Sequence, residues 1–340
     1  LVMLYLLLFS PLIFAYILIL FCKKNQLLMN LSGDIHQGLV TKKKTPLIGG
    51  IIALFSFFQL KFYDMDLFFF YSLAIFMLGF FSDIKKLNSP FLRFILQLII
   101  VTLCIYGLDI VLVSTRIIFL DHLLSNHLFA IFFTSYCVLI IINGTNFIDG
   151  INSLAIGYYI IISAALLFLQ NNGLIVSLNF NISLFIFSLI ILYFLNLSGK
   201  LYLGDAGAYF LGFLFGIELI DFYLNNLKIS PFFIILLLWY PAFENLFSII
   251  RKINFRKSPS KPDTNHLHQL IFISLRKKKY STFKANNLTG ILLNTYNAIV
   301  IAFALINPSH TQTQILLIIV NLLLYIFVYI NLYRYNNKKT

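Results

Sequence analysis

Long, nearly uninterrupted apolar segments constrain this chain more than any other feature of its sequence. A helix of about 20 apolar residues crosses a hydrocarbon core of about 30 Å, and most of the segments approach that length. Composition agrees, because 60% hydrophobic and 11% charged residues do not describe an ordinary soluble domain. Eleven segments are predicted, at 1–22, 46–60, 66–81, 91–107, 127–144, 153–170, 179–195, 207–223, 231–250, 288–306 and 315–335.

Continuous apolar runs favour helices over a transmembrane β-barrel, whose strands alternate apolar and polar residues. We therefore predict an all-α, polytopic membrane bundle of about eleven transmembrane helices, or ten if one of the shortest segments does not cross. The first segment lacks a basic start and a small-residue cleavage site, so we expect a retained spanning helix. Residues 1–340 are expected to form one integral membrane domain.

The basic residues predict an orientation. When the predicted helices alternate in direction, 22 of the 25 Lys and Arg residues fall in loops on one side. Cytoplasmic loops are enriched in these residues, so the N-terminus is expected outside and the C-terminus in the cytoplasm. The net charge of +13 is then mainly a signal of topology, and it gives no reason to invoke nucleic acid.

Acidic residues also collect on the basic face, where they do not contribute to the positive-inside bias. Solvated loop charge is one explanation, and a binding or catalytic site is the other. Six of the twelve carboxylates lie on this face: Asp34, Asp83, Asp149, Asp205, Glu244 and Asp263.

The inner end of the fifth segment carries polar residues at steps of three: Asn143, Asn146, Asp149 and Asn152. Successive members drift by about 60° on a helix of 3.6 residues per turn, so neighbours can line one side of a helix end. Exposure of such a row to lipid would be costly. The row is therefore expected to face a ligand, water or, as a purely structural alternative, an interhelical hydrogen-bond cluster.

The stretch 204–208 precedes the eighth segment, where backbone amides at a helix start favour an anion. Gly204 lets the backbone approach a phosphate closely, and the carboxylate of Asp205 can hold Mg²⁺. An ordinary turn that ends in a helix cap has the same pattern. Asp83, which closes the third segment, is explained equally well by a simple helix terminator.

His266 and His268 lie in the basic stretch 251–287, which we predict to be a cytoplasmic loop. Residues two apart lie about 200° apart on a helix but share a face of an extended segment. If both rings act together, the backbone is therefore extended or turned. A zinc site would need more ligands, and neither a Cys nor a third His is near, so oxyanion binding is the better interpretation.

In their order along the chain, these motifs resemble those of the polyprenyl-phosphate N-acetylhexosamine-1-phosphate transferases of glycosyltransferase family 4. This family includes the phospho-MurNAc-pentapeptide transferase and the lipid-carrier GlcNAc-1-phosphate transferases. The resemblance covers nearly the whole chain and implies transfer of a sugar 1-phosphate from a UDP-sugar to polyprenyl phosphate, with release of UMP. It runs through 45–50, Asp83, 143–152, 203–207, 240–245 with Arg251, and 262–269.

The resemblance also implies roles for individual residues. Asp83, Asp149 and Asp205 would be catalytic, with Asp205 as the principal ligand of Mg²⁺ or Mn²⁺. Asp83 would be a second metal ligand or a base, and we favour the metal role because the second pKa of a phosphate monoester is only about 6. Substrate binding would involve Asn143, Asn146, Asn152, Gly204, His266, His268, Lys44 and Arg251.

Several positions depart from the family pattern. Ser82 and Asn152 stand where many members carry Asp, and Gln269 stands where many carry His, whereas Glu244 replaces an Asp and keeps its charge. The missing carboxylates leave a catalytically inactive membrane homologue as one alternative. A transporter or flippase of lipid-linked sugars is another, but it would place ionisable residues at mid-membrane, where these segments have almost none.

The stretch containing both histidines resembles the GlcNAc branch of the family more than the MurNAc-pentapeptide branch. UDP-GlcNAc or a related UDP-N-acetylhexosamine is therefore the expected donor. Undecaprenyl phosphate is the expected acceptor in the inner (cytoplasmic) membrane of a bacterium, at the first membrane step of O-antigen lipopolysaccharide, capsule or teichoic-type cell-wall polymer synthesis. A homodimer is expected by analogy alone.

Overall fold

The computed structural model describes residues 2–30, 45–59, 66–174, 180–254, 256 and 265–337. These residues form fourteen α-helices, and their only β-type pairings are two isolated bridges, Met29 with Pro46 and Leu47 with Tyr202. The helices are α1 (Val2–Asn25), α2 (Gly49–Gln59), α3 (Asp66–Asp83), α4 (Pro90–Leu108), α5 (Ile118–Leu124), α6 (His127–Ile148), α7 (Leu154–Asn171), α8 (Ile182–Leu197), α9 (Gly204–Asn225), α10 (Pro231–Leu237), α11 (Trp239–Asn254), α12 (Leu267–Lys277), α13 (Thr282–Ile306) and α14 (Thr311–Asn337).

The predicted all-α membrane fold is confirmed, and each predicted segment corresponds to a helix except 231–250, which corresponds to two. Within the described residues, seven helices are long and apolar enough to span a membrane, and α10 with α11 makes an eighth candidate. The shorter apolar helices α2, α3 and α8 account for the remaining predicted segments. Hydropathy was sufficient here because continuous apolar runs fix both the position and the type of each element.

Helix α9 lies at the centre of the bundle. It packs against α2, α3 and α6, and almost all of its residues are buried. A helix that is apolar on every side is buried either in lipid or among other helices, and the burial of α9 shows that helices surround it. The start of α9 is therefore held firmly, and the backbone of Asp205, in the first turn, is fixed with it.

The predicted segment 231–250 is not one continuous helix, because it bends by 76° between α10 and α11. Tyr158 of α7 bridges the bend: its hydroxyl donates to the carbonyl of Leu237 at 2.8 Å and accepts from the amide of Tyr240 at 3.3 Å. Helix α6 passes close by at Gly144, where a Cβ would lie 2.1 Å from the carbonyl oxygen of Pro241. The bend directs α11 along the cavity described below.

The predicted loop 251–287 is also more structured than expected. It contains the end of α11, the whole of α12 and the start of α13. Helix α12 is amphipathic and packs against α13 and α14, which explains why a sequence with many charged residues is helical here.

Candidate active site

A cavity of about 1200 Å³ opens at one end of the bundle, where α3 and α6 end and α4 and α9 begin. Residues far apart in the sequence meet there, because neighbouring antiparallel helices bring their ends together. Eight of the residues predicted from the sequence line this cavity: Asp83, Asn143, Asn146, Asp149, Asn152, Gly204, Asp205 and His266.

Asp205 is held by side chains from three helices. Its Oδ1 accepts a hydrogen bond from Nδ2 of Asn146 at 2.7 Å. Its Oδ2 accepts from the hydroxyl of Ser82 at 2.6 Å and from Nη1 of Arg93 at 3.0 Å. The same Arg93 nitrogen also donates to the Ser82 hydroxyl at 2.5 Å. A cation and two neutral donors thus orient the carboxylate that the resemblance makes the principal metal ligand.

The start of α9 binds a carboxylate of the chain itself. Asp83 accepts from the backbone amides of Asp205 at 2.8 Å and Ala206 at 3.0 Å. Gly204 has φ +77°, and a Cβ there would lie 2.7 Å from Oδ2 of Asp83. The Asp83 carboxylate thus occupies two amides at the start of α9, and it lies beside Asp205 at this helix end.

The three aspartates influence one another electrostatically. Burial raises the pKa of Asp149 well above its ordinary value, and the negative charges of Asp205 and Asp83 add to this effect, while the Gly204 amide opposes it. Negative charge is therefore costly in this part of the cavity. A bound cation would relieve that cost.

These carboxylates fit one kind of Mg²⁺ site. Within the described ranges, no three His, Cys, Asp or Glu side chains are arranged to form a protein-only metal site. Mg²⁺ is commonly held by one or two carboxylates, with water and substrate phosphates completing its octahedral shell. Asp205 with Asp83 or Asp149 has the donor chemistry for that arrangement, in which substrate oxygens supply the remaining ligands.

The two histidines lie at the start of α12. His266 has extended backbone angles (φ −74°, ψ 151°), and His268 is in the first turn of the helix. Their rings stack at a centroid distance of 5.4 Å with 14° between their planes, so the backbone is indeed turned between them. Gln269 accepts a hydrogen bond from the His266 amide at 3.1 Å and so helps to cap α12. Gln269 is the residue that stands where many family members carry His.

Two of the predicted asparagines, Asn143 and Asn152, both line the cavity and bond to a neighbouring helix. Nδ2 of Asn143 donates to Oε1 of Gln97 on α4 at 3.0 Å. The backbone amide of Asn152 donates to Oδ1 of Asn286 on α13 at 2.9 Å. The interhelical hydrogen-bond cluster and the cavity are therefore two aspects of one arrangement.

Of the two cations predicted to bind substrate, Arg251 packs away from the cavity and Lys44 is not described. Arg251 is buried against the rings of Phe247 and Tyr329, and its guanidinium donates to the carbonyl of Asn265, just before the histidines. Lys252, rather than Arg251, lines the cavity, and its ammonium lies 5.8 Å from the centre of the Phe147 ring. Lys44, together with Asp34 and Asp263, lies outside the described residues.

Sequence reasoning missed two residues that shape this site, Arg93 and Lys252, and it gave Glu244 no role as the binding partner of His266. Arg93 could have been found, since the short turn after Asp83 returns the chain at Pro90 and puts Arg93 in the first turn of α4. Lys252 could not, because adjacent residues on α11 face directions about 100° apart and only packing decides which one meets the cavity.

Comparisons with known proteins point to one family. Residues 65–223, which include all three aspartates, match the sequence model of glycosyl transferase family 4. A probable undecaprenyl-phosphate N-acetylglucosaminyl 1-phosphate transferase of Bacillus subtilis (strain 168) is 28% identical over 203 residues, which is 57% of this chain and 54% of that protein. The chain thus matches about half the length of this relative.

A second relative is matched over more of its length. The undecaprenyl-phosphate alpha-N-acetylglucosaminyl 1-phosphate transferase of Thermotoga maritima is 24% identical over 265 residues, which is 77% of this chain and 79% of that protein.

Proposed function

This chain belongs to glycosyl transferase family 4, and from that membership we propose that it transfers a sugar 1-phosphate to polyprenyl phosphate. UDP-GlcNAc, or a related UDP-N-acetylhexosamine, is the proposed donor, and undecaprenyl phosphate is the proposed acceptor. The products are a lipid-linked diphosphate sugar and UMP. The observation that carries the proposal is the cavity, which combines three aspartates with three cationic side chains, Lys85, Arg93 and Lys252, at an end of a membrane bundle.

The charges of the cavity suit this reaction. An oxygen of the lipid phosphate attacks the phosphorus that bears the sugar, and the bond to the bridging oxygen breaks as UMP leaves. The lipid phosphate needs no strong base, because its second pKa is about 6. Arg93 and Lys252 are placed to neutralise the phosphates that meet there. Asp205, with Asp83 or Asp149, would hold Mg²⁺ or Mn²⁺, which supplies further positive charge when bound.

Part of the cavity wall is apolar, as a lipid substrate requires. Phe91 and Phe94 of α4 and Leu139 and Ile140 of α6 line it beside the polar residues. Phe91 is 73% exposed, so this wall continues onto the surface of a helix that is apolar enough to face lipid. A polyprenyl tail is therefore proposed to lie along α4, with its phosphate directed toward Asp205.

The reaction is proposed to take place on the cytoplasmic side of the membrane. The cavity lies where the predicted cytoplasmic stretches 82–93, 196–206 and 251–287 meet. Lys and Arg are enriched in such loops, which supports this orientation. In a bacterium, the enzyme would act in the cytoplasmic membrane and begin the synthesis of a cell-envelope polysaccharide.

The deciding experiment measures UMP release from UDP-GlcNAc by purified protein with undecaprenyl phosphate, with and without Mg²⁺. Asp205→Asn should abolish the release. Asp109→Asn is the matched control, since Asp109 follows α4 at the other end of the bundle and has φ 54°, which Asn tolerates. Absence of release with any UDP-N-acetyl sugar, from folded wild-type protein, would contradict the proposed function.

A further inference from the structure

We propose that Glu244 is a positioning residue that fixes the orientation of His266 and the hydrogen on its Nδ1, so that Nε2 of His266 is directed to donate to the substrate phosphates. This inference rests on the proposed function and adds to it a residue that makes no contact with substrate. Glu244 lies on α11, just beyond the bend in the helix, and its exposure is 0%.

Glu244 holds both the ring and the backbone at the start of α12. Its Oε2 lies 3.0 Å from Nδ1 of His266, and its Oε1 accepts a hydrogen bond from the backbone amide of Leu267 at 3.2 Å. The two carboxylate oxygens therefore fix the position of the ring relative to the helix that carries it. One buried side chain thus links the bent helix to the histidine stretch.

The bond between Glu244 and His266 also assigns the proton on the ring. An ionised carboxylate only accepts hydrogen bonds, so Nδ1 must carry a hydrogen to bond with it. The other nitrogen, Nε2, lies on the opposite edge of the imidazole. The partner of one ring nitrogen sets the state of the other, as it does for histidines that carboxylates orient in metal and catalytic sites. Because His266 lines the cavity, Nε2 can donate to a phosphate oxygen there when the ring carries a hydrogen on both nitrogens, a state that the carboxylate of Glu244 favours.

Two aromatic neighbours keep the ring in this orientation. The Phe147 ring lies 5.2 Å from the His266 ring, and the stacked His268 ring lies 5.4 Å away. Rotation of the imidazole about its Cβ–Cγ bond would disturb both contacts and break the bond to Glu244. The ring is therefore preorganised, which is the condition for a group that must act on a substrate in one geometry.

A double-mutant cycle tests the inference. UMP release is measured for wild type, Glu244→Gln, His266→Ala and the double variant. Glu244→Gln should lower kcat about 10–100-fold, as loss of a partner that orients a histidine typically does. In the His266→Ala background the same change should have little further effect, because Glu244 acts through His266. Losses that multiply in the double variant would overturn the proposal.

Glu218→Gln is the matched control, because Glu218 is also buried, at 4% exposure, but lies towards the far end of α9. Its kcat should equal that of wild type. If Glu244→Gln does not fold, Glu244→Asp replaces it in the cycle. This variant keeps the charge but draws the carboxylate away from Nδ1 by one methylene. Introduced into wild type, it should lower kcat, whereas introduced into His266→Ala it should cause no further loss.

A spectroscopic measurement separates this inference from the proposed function. Nitrogen-15 NMR of the histidine side chains, with the His266 signals assigned by their loss in His266→Ala, should show a hydrogen on Nδ1 that is bonded to a carboxylate. Glu244→Leu should remove that signature. A wild-type His266 with hydrogen on Nε2 alone would refute the inference. If no UMP is released by wild type, the proposed function fails, while the NMR result still decides the tautomer.

Discussion

The carboxylate of Asp83 accepts a hydrogen bond from the backbone amide of Asp205 at 2.8 Å, so the end of α3 caps the start of α9. Its second oxygen accepts from the next amide, that of Ala206, at 3.0 Å. Helix caps usually come from the residue just before the helix, whereas this one comes from a different helix. The position of Asp205 in the cavity therefore depends on α3 as well as on its own helix.

Asp83→Ala should affect both stability and activity. Removing the cap leaves two amides of α9 without their acceptor and should lower the free energy of unfolding by about 0.5–2 kcal/mol. UMP release should fall at least about 100-fold, because Asp205 loses its fixed position and the cavity loses a carboxylate. Thermal unfolding in detergent and the release assay measure the two effects.

Asn126→Ala is the control for this prediction. Asn126 caps the start of α6, the end of that helix far from the cavity, by accepting a hydrogen bond from the Phe129 amide at 3.1 Å. Its replacement should cost similar stability and leave UMP release unchanged. Equal activity of Asp83→Ala and Asn126→Ala would mean that Asp83 is only a helix cap.

The sequence predicted the helices well because each is a continuous apolar run, but it missed the break after Leu237. No polar residue interrupts 231–238, and the hydrogen bonds that stabilise the bend come from Tyr158, almost 80 residues earlier in the chain. Such a feature depends on tertiary packing, which hydropathy does not report.

The candidate site was predictable to the extent that its residues form compact motifs. Asn143, Asp149 and Asp205 stand next to glycines near helix ends, where the local sequence already suggests ligand binding. Lys252 and Glu244 both lie on α11, whose direction is set by the bend, so their roles became visible only in the structure. Arg251 shows the same limit, since its charge suggested substrate but packing directs it to Tyr329 and a backbone carbonyl.

Gly144→Ala should destabilise the bundle. The added Cβ would lie 2.1 Å from the carbonyl oxygen of Pro241, and 2.5 Å from its carbonyl carbon, so α6 and α11 would have to separate. Overpacking of this kind costs about 1–3 kcal/mol. Gly216→Ala is the control, because its nearest neighbour would be a side-chain methyl of Val138 at 3.3 Å. Thermal unfolding should show a large decrease for Gly144→Ala and a small one for Gly216→Ala, and the reverse order would contradict the packing described here.

Lys252→Met should raise the KM for the UDP-sugar by at least about tenfold. A hydrogen bond to a charged group contributes about 1.5–3 kcal/mol, and the methionine keeps the apolar contact with Phe147 but not the charge. Lys252→Arg should restore much of the affinity. Lys277→Met is the control, since that ammonium also lies near an aromatic ring, Tyr335 at 5.5 Å, but on an exposed surface. An unchanged KM in Lys252→Met would exclude a role for this charge in donor binding.

Ser82→Asp tests how this chain functions without the adjacent aspartates of many family members. The Ser82 hydroxyl donates to Oδ2 of Asp205 at 2.6 Å, and a carboxylate in its place would bring two negative charges together. Arg93 already bonds to both residues and can offset only part of this repulsion. The variant should therefore unfold at a lower temperature than wild type in EDTA.

Mg²⁺ should reverse that loss, because a cation held between the two carboxylates converts their repulsion into binding energy. The increase in melting temperature on adding Mg²⁺ should thus be larger for Ser82→Asp than for wild type. Ser82→Ala removes the same hydroxyl without adding charge, so its response to Mg²⁺ should match that of wild type. A Ser82→Asp protein whose melting temperature does not respond to Mg²⁺ would argue against a metal at Asp205, independently of any activity measurement.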